Sequence, residues 1–287
     1  MKERYYKVAE HVFVLKADTE DDIQKELSQY EPFLTEATQD VSFRLEIVDE
    51  LSVTNIHEDM KQDDEGQTIV AGHTEEGASY FEFWLGQKQC STMIIDKDYH
   101  LAKVCVKQNW SFGVNNAIMV MYAIATANSL TALFHSSVVS YQDKAYMFLG
   151  HSGTGKSTHS SLWLKYIEGT ELVNDDNPVV RIIDGVARVY GSPWSGKTPC
   201  YRNVSYPVGS IVKLDQAPHN EIQRLKGIKA YAAVMPSISG KRWDKRLADG
   251  MHETINLLAQ LVPVWHLDCL PDEGAARLCC QNCAYES

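Results

Sequence analysis

The segment from Gly150 to Thr158, GHSGTGKST, constrains the fold more than any other part of the sequence. It fits the pattern G-x-x-x-x-G-K-[ST] at every specified position. A phosphate-binding loop of this kind needs a strand before it and a helix after it. The apolar stretch YMFL and the helical pattern THSSLWLKYI occupy those two places. The sequence therefore predicts an α/β arrangement in which this loop holds the phosphates of a nucleotide, and a glycine-rich turn with an incidental lysine is the alternative.

The residue types of the loop match the chemistry of phosphate binding. Glycines let the backbone approach a phosphate closely, so that successive amides converge on it near the start of a helix. Lys156 supplies a positive charge for the β- and γ-phosphate oxygens, and the Ser157 hydroxyl is placed to ligate Mg²⁺. The predicted cofactors are thus ATP and Mg²⁺. The predicted nucleotide-binding residues are Gly150, His151, Ser152, Gly153, Thr154, Gly155, Lys156, Ser157 and Thr158.

Two adjacent aspartates, Asp175 and Asp176, follow the loop closely, at the end of the short apolar segment ELV. A phosphate-loop protein needs a carboxylate for its magnesium ion. Two carboxylates also allow a division of roles, because one can ligate the metal while the other accepts a proton from an attacking hydroxyl. A simple DDNP turn is the structural alternative, since Asp, Asn and Pro all favour turns.

The combination of GHSGTGKST, VNDDN and His135 in LFHSSVV resembles the HPr kinase/phosphorylase family and the related ATP-dependent phosphoenolpyruvate carboxykinases. The resemblance covers about residues 130–285. It implies a carboxykinase-like P-loop domain in which Asp175 is the catalytic acid/base, His135 assists it, and Asp176 lies toward the metal. It also implies a homo-oligomer. Read from the sequence alone, His135 is more typical of a buried core histidine than of a catalytic one.

Three basic residues downstream of the aspartates are candidate contacts for a substrate or phosphate. Lys197 lies in the turn-rich segment GSPWSGKTP, Arg202 follows it, and Arg242 belongs to the most basic patch of the chain. The resemblance implies that the loop containing Lys197 closes over the active site. An exposed linker and a solvated helix start are the alternatives.

The first hundred residues are strand-rich and carry no recognisable motif. The segment VSFRLEIV alternates apolar and polar residues with the period of a half-buried strand, whereas the acidic stretch from His57 to Gln67 indicates a surface loop. Ser111 is a candidate cap for a buried helix that ends near Asn128. We therefore predict a β-rich N-terminal domain at 1–110 and an HPr-kinase-like P-loop domain at 111–287.

The charge, hydropathy and cysteines of the sequence limit the cellular location of the protein and the partners it can bind. The net charge of −11 argues against general nucleic-acid binding. The longest apolar run, AIMVMYAIATA, is too short to cross a membrane, and the N-terminus does not resemble a signal peptide, so we expect a cytoplasmic protein. Cys280 and Cys283 have the spacing of half a zinc site, but reduced thiols are the expected state.

These features together predict an ATP-dependent kinase that transfers the γ-phosphoryl group to a hydroxyl acceptor of the serine type. A kinase for a small-molecule hydroxyl, or a carboxykinase-like enzyme, is one alternative. A non-catalytic ATP-binding regulatory protein is another, although such a protein would not need a base. The sequence does not name the acceptor, because the N-terminal part and the loops carry no motif for it.

Overall fold

The computed structural model describes residues 2–18, 20–64, 66–196 and 198–285. The described residues form a mixed α/β structure with two large sheets, which agrees with the predicted α/β class. The chain forms two compact units, Met1–Thr126 and Ala127–Ser287. The helix at Trp110–Thr126 therefore groups with the first unit, whereas the sequence analysis assigns it to the second domain.

The first unit is built on one sheet, in which parallel pairs join the N-terminal hairpin to an antiparallel meander. Its strand order is β1-β2-β3-β8-β7-β6-β5-β4. Its strands and helices in the described part of the chain are β1 (Lys2–Val8), β2 (His11–Ala17), α1 (Glu20–Glu26), β3 (Phe43–Val48), β4 (Ile56–Asp64), β5 (Gln67–Thr74), β6 (Ser79–Leu85), β7 (Lys88–Ile95), β8 (Leu101–Val106) and α2 (Trp110–Thr126).

Helix α2 covers one face of this sheet and supplies much of the core. Phe13 and Phe43 stack with their ring centroids 4.9 Å apart, and Tyr122 packs edge-on against both rings. The Tyr122 hydroxyl also donates to the carbonyl of Val8 at 3.0 Å, so its polar end is satisfied inside the core. Ser111 does not cap α2, because the helix begins at Trp110 and the Ser111 hydroxyl donates to the carbonyl of Glu26.

The prediction of a surface loop over His57–Gln67 is wrong, since most of that segment is strand β4. It pairs antiparallel with β5 at the edge of the sheet, and nearly all of its side chains are exposed. An edge strand with solvent on both faces needs no apolar alternation, because its stability comes from the backbone ladder to its single neighbour. The polar composition of β4 therefore gave no sequence signal for a strand.

The second unit contains the phosphate-loop segment. A 3₁₀ turn at Met235–Ser237 precedes the two-residue strand at Ile238–Ser239. The described strands and helices are β9 (Thr131–Phe134), β10 (Ser136–Tyr141), β11 (Lys144–Leu149), α3 (Lys156–Tyr166), β12 (Glu171–Asp176), β13 (Val179–Ile183), β14 (Val186–Tyr190), β15 (Ser205–Gln216), β16 (Glu221–Leu225), α4 (Ile228–Val234), β17 (Ile238–Ser239), α5 (Lys245–Leu261), β18 (Val264–Cys269) and α6 (Glu273–Tyr285).

The long strand β15 organises the sheet of this unit. Its first residues pair with β14, and its remainder pairs in parallel with β11 on one side and β18 on the other. Strands β10 and β12 extend the β11 side in antiparallel fashion. Helices α3 and α6 lie together over a core of buried side chains that includes Phe148, Trp163, Val212, Leu267 and Cys279.

The chain between Thr131 and Tyr141 is divided into two strands at His135. Strand β9 pairs with β13 and β17, while β10 pairs with β11 and β12, so the chain changes its pairing partners at this histidine. Strands β13 and β14 form a hairpin, with both turn residues, Asp184 and Gly185, at positive φ. In the described part of the chain, no helix is long and apolar enough to span a bilayer.

Candidate functional site

The glycine-rich segment predicted to bind phosphate, called the phosphate loop below, connects the buried strand β11 to helix α3. Gly153 and Gly155 have φ values of 79° and 105°, a region that residues with a Cβ rarely adopt. The loop is held from strand β15, because the Gln216 amide donates to the carbonyls of Gly153 and Thr154 at 3.2 and 3.3 Å. Glycine geometry and this lateral support fix the loop at the N-terminus of α3, where backbone amides are left without helical partners.

Lys156, the first residue of α3, turns its side chain back over the loop. It is only 9% exposed. Its ammonium donates to the carbonyls of Gly150 and His151 at 3.0 and 3.2 Å, and it lies 2.9 Å from Nε2 of His135. The positive charge is therefore fixed beside the loop by neutral acceptors that a phosphate oxygen would outcompete.

His135 connects this lysine to an aspartate. Its Nδ1 lies 3.0 Å from Oδ1 of Asp176, so a proton on Nδ1 leaves Nε2 free to accept from Lys156. Its backbone amide donates to the carbonyl of Ser237 at 2.7 Å, which fixes the residue between β9 and β10. The side chains of His135 and Asp176 remain 37% and 32% exposed. Lys156, His135 and Asp176 thus form a line of contacts that solvent can reach.

Asp175 lies in a different environment and is 7% exposed. Its Oδ1 accepts from the Ser137 hydroxyl at 2.7 Å, and that hydroxyl lies 2.5 Å from the hydroxyl of Ser160 on α3. The structure therefore brings His135 to Asp176, and not to Asp175 as the resemblance implied. The reason is the register of β10 and β12, which sets Ser137 opposite Asp175.

Ser137 and Ser160 were missed by the sequence analysis. Ser137 lies two residues after His135, but His135 lies between two strands, so the alternation of faces within a strand does not relate the two side chains. Ser160 is four residues after Lys156, and so lies on the same face of α3. Neither spacing identifies a partner without knowledge of which strand lies beside β10.

A buried network fixes the backbone around the aspartates. The Asn174 amide donates to the Ser192 hydroxyl and to the carbonyl of Trp194, while its Oδ1 accepts from the amide of Asp176. Gly196 packs so closely that a Cβ there would lie 2.9 Å from the carbonyl oxygen of Asp175. The segment after β14 is therefore packed directly on the aspartate pair. Lys197, the next residue, lies outside the described residues.

The structure engages the two predicted arginines in internal contacts. Arg202 donates to the carbonyl of Leu172 and pairs with the Glu171 carboxylate at 2.7 Å, at the start of β12, whereas Asp176 ends that strand. Arg242 donates to the carbonyls of Met235, Pro236 and Ile238. Arg242 thus supports the turn whose Ser237 carbonyl holds His135, and neither arginine is brought to the phosphate loop by a described contact.

His159 is the fourth residue of α3 and is buried. Burial lowers the pKa of His159 to about 4, so the neutral imidazole is the stable form at neutral pH. Its Nε2 accepts from the indole N–H of Trp163 at 3.2 Å, and its ring packs edge-on against Phe148. This uncharged contact anchors α3 to the strand that leads into the loop.

An ion-pair cluster lies next to Gln216, the residue that supports the loop. The Asp215 carboxylate lies 2.8 Å from the Lys213 ammonium and 2.7 Å from Nε2 of His266, while Asp268 is 3.8 Å from the same nitrogen. Burial raises the pKa of Asp215, but hydrogen bonds from Lys213 and His266 outweigh it, so the net shift is downward. The cluster joins the ends of β15 and β18.

The C-terminal cysteines lie on the buried side of α6. Burial raises the pKa of Cys280 to about 11 and that of Cys279 well above its usual value. The sulfur atoms of Cys279 and Cys283 are 3.9 Å apart. At Cys279 and Cys280, burial therefore favours the protonated thiol over the thiolate that binds zinc or attacks a disulfide.

Comparison with known proteins gives little independent information. No protein-family profile and no curated protein matches the sequence. Among solved structures, the HPr(Ser) kinase/phosphatase from Coxiella burnetii matches with a TM-score of 0.30 and 11% sequence identity, over 51% of this chain and 89% of that chain. A similarity of this size establishes neither a common fold nor a common activity, so the functional argument depends on the site itself.

Proposed function

We propose that the protein is an ATP-dependent phosphotransferase that acts on a hydroxyl acceptor. The observation that carries this proposal is the placement of Lys156 at the head of α3, in contact both with the phosphate loop and with His135, which in turn contacts Asp176. A loop alone would support nucleotide binding only. A histidine–carboxylate pair beside it adds a group that can take a proton from an acceptor.

The residues of the site fit a magnesium–nucleotide ligand. Position 153 has open space around its missing Cβ, and the Ser157 hydroxyl lies in the exposed first turn of α3. Ser157 and the aspartate pair offer oxygen atoms, the donor type that Mg²⁺ prefers. When bound, ATP would supply the phosphoryl group, and Mg²⁺ would neutralise part of its charge. Lys156 and the loop amides would hold the phosphates.

Asp176 is the better placed of the two aspartates to accept the proton. A general base must come within hydrogen-bonding distance of the acceptor hydroxyl, and Asp176 is partly exposed while Asp175 is buried. The Nδ1–H of His135 would orient the Asp176 carboxylate and stabilise its charge. Asp175 as the base, with Asp176 as the metal ligand, is the alternative that the family resemblance implies. In that case Asp175 would have to exchange its hydrogen bond to Ser137.

The acceptor can be identified by following the phosphoryl group. The full-length protein is incubated with γ-labelled ATP and Mg²⁺ in the presence of a cell lysate separated into protein and small-molecule fractions. Label in a protein band supports a serine-type acceptor, and label in the small-molecule fraction supports a metabolite hydroxyl. Both signals should be absent with Lys156→Ala. Nucleotide binding with no label transfer in either fraction would contradict the proposal and support an ATP-binding regulatory protein.

A further inference from the structure

A cavity lies at the end of the second unit's sheet opposite the phosphate loop. Its volume is about 500 Å³, within the range of small-molecule sites. It is bounded by the starts of β11 and β18, by Val208 and Gly209 of β15, and by the C-terminal end of α5. None of the residues placed at the phosphate loop or the aspartate pair lines this cavity.

The cavity is cationic in a protein of net charge −11. Lys144, Arg224 and Lys226 line it, and the described lining residues include no Asp or Glu. No described carboxylate lies within ion-pair distance of these three side chains. In contrast, Lys213 and Arg277 pair directly with neighbouring acidic groups. All three side chains are exposed, and their combined positive charge would attract a bound anion.

Contacts around the cavity keep its shape. The Arg224 guanidinium lies over the Trp265 ring, 5.3 Å from its centroid, which restricts the side chain. At position 209 a Cβ would lie 3.2 Å from Cβ of Lys144 and 3.1 Å from the Tyr146 ring, so glycine leaves space where a side chain would crowd the wall. The C-terminal end of α5 contributes roughly half a negative charge, which offsets only a small part of the three positive charges.

From this arrangement we infer that the cavity binds a small molecule that carries at least two anionic groups, either phosphates or carboxylates. Such a ligand would not overlap the nucleotide. Strands β11 and β15 both run from this cavity to the phosphate loop, since Lys144 begins β11, Gly150 follows its end, and Gln216 at the end of β15 contacts the loop. A six-residue strand spans about 20 Å. The two sites are therefore separate.

Calorimetric titration with citrate and with pyrophosphate tests this inference. The titrations use the full-length protein and the Lys156→Ala variant, because pyrophosphate can also bind the phosphate loop. We expect one anion per chain at the cavity, with affinity unchanged in Lys156→Ala. Lys144→Gln/Lys226→Gln should weaken that binding at least about tenfold, since it removes two of three charges. Lys88→Gln/Lys103→Gln, which removes two exposed lysines of the first unit, is the matched control and should bind as the parent does.

The two anions separate the ligand chemistries. Binding of citrate alone indicates a carboxylate ligand, binding of pyrophosphate alone indicates a phosphate ligand, and binding of both indicates recognition of charge. The inference is overturned if neither anion binds at millimolar concentration, if the Lys144→Gln/Lys226→Gln protein binds as the parent does, or if Lys156→Ala removes all binding. These results are independent of phosphoryl transfer, so failure here leaves the proposed function intact.

Discussion

At the scale of single residues, the site depends on how three charged or titratable side chains share their partners. Lys156 satisfies its ammonium with two loop carbonyls and His135, and His135 uses its second nitrogen for Asp176. Asp175, although adjacent in sequence, is occupied by Ser137. Neighbouring aspartates on one strand thus have different environments, which is what a division between two chemical roles requires.

This difference predicts different effects for the two aspartate-to-asparagine variants. Asp176→Asn should lower the rate of label transfer at saturating ATP by at least about 100-fold, because removal of a general base typically costs that much. Asp175→Asn should have a smaller effect, since its carboxylate faces Ser137 and not the acceptor. Asp143→Asn, in an exposed turn at positive φ, is the control for the change of charge. A larger loss with Asp175→Asn would restore the assignment implied by the family resemblance.

The burial of His159 predicts that the free energy of unfolding decreases in weak acid. Its folded-state pKa of about 4 lies below the unfolded value of 6.5, so its contribution is complete above about pH 6.5 and declines as the pH falls toward 4. Between pH 7.5 and 5.0 the wild-type protein should lose about 2 kcal/mol more unfolding free energy than His159→Gln. Urea unfolding at the two pH values measures this. Equal losses in both proteins would show that His159 is not buried as a neutral group.

At the scale of secondary-structure elements, packing of the segment after β14 sets the position of the aspartate pair. Gly196 is in contact with the backbone of Asp175 and the side chain of Asp176, and Asn174 connects β12 to Ser192 and Trp194 in the same segment. Backbone shifts in this segment are therefore transmitted directly to both carboxylates.

Gly196→Ala should impair transfer more than nucleotide binding. The added methyl group would lie 2.9 Å from the carbonyl oxygen of Asp175, so either the segment after β14 or the end of β12 must move. We expect the transfer rate to fall at least about tenfold, because small displacements of reacting groups are costly. Nucleotide affinity should stay within about threefold, since the phosphate loop is not touched. Gly274→Ala in the first turn of α6 is the matched control. Phosphoryl transfer at the wild-type rate in Gly196→Ala would contradict this role of the segment after β14.

The sequence predicts the local parts of the site well and the non-local parts poorly. The strand, glycine loop and helix around Lys156 follow from a contiguous pattern, and the position of the aspartates at the end of β12 follows from the same logic. The pairing of His135 with Asp176 depends on the register between β10 and β12, which includes an irregularity at Val138 and Val139. Such a shift has no local signature, because a change of one residue alters every cross-strand partner.

At the scale of the whole molecule, the two ends of the sheet in the second unit carry different groups. The end with the phosphate loop combines glycine geometry, Lys156 and the acidic pair, while the opposite end has a cationic cavity without acidic lining residues in the described part of the chain. The first unit contributes a separate sheet with α2 on one face.

Binding of magnesium and a non-hydrolysable ATP analogue to the full-length protein tests the central claim most directly. Isothermal titration should give one site per chain with micromolar affinity for the wild-type protein. Lys156→Ala should weaken binding by at least about 100-fold, or about 2.7 kcal/mol, because it removes the buried charge beside the loop. Lys165→Ala, an exposed lysine on the same helix, should bind as the wild type does. No binding to the wild-type protein, or equal affinity in Lys156→Ala, would contradict the account.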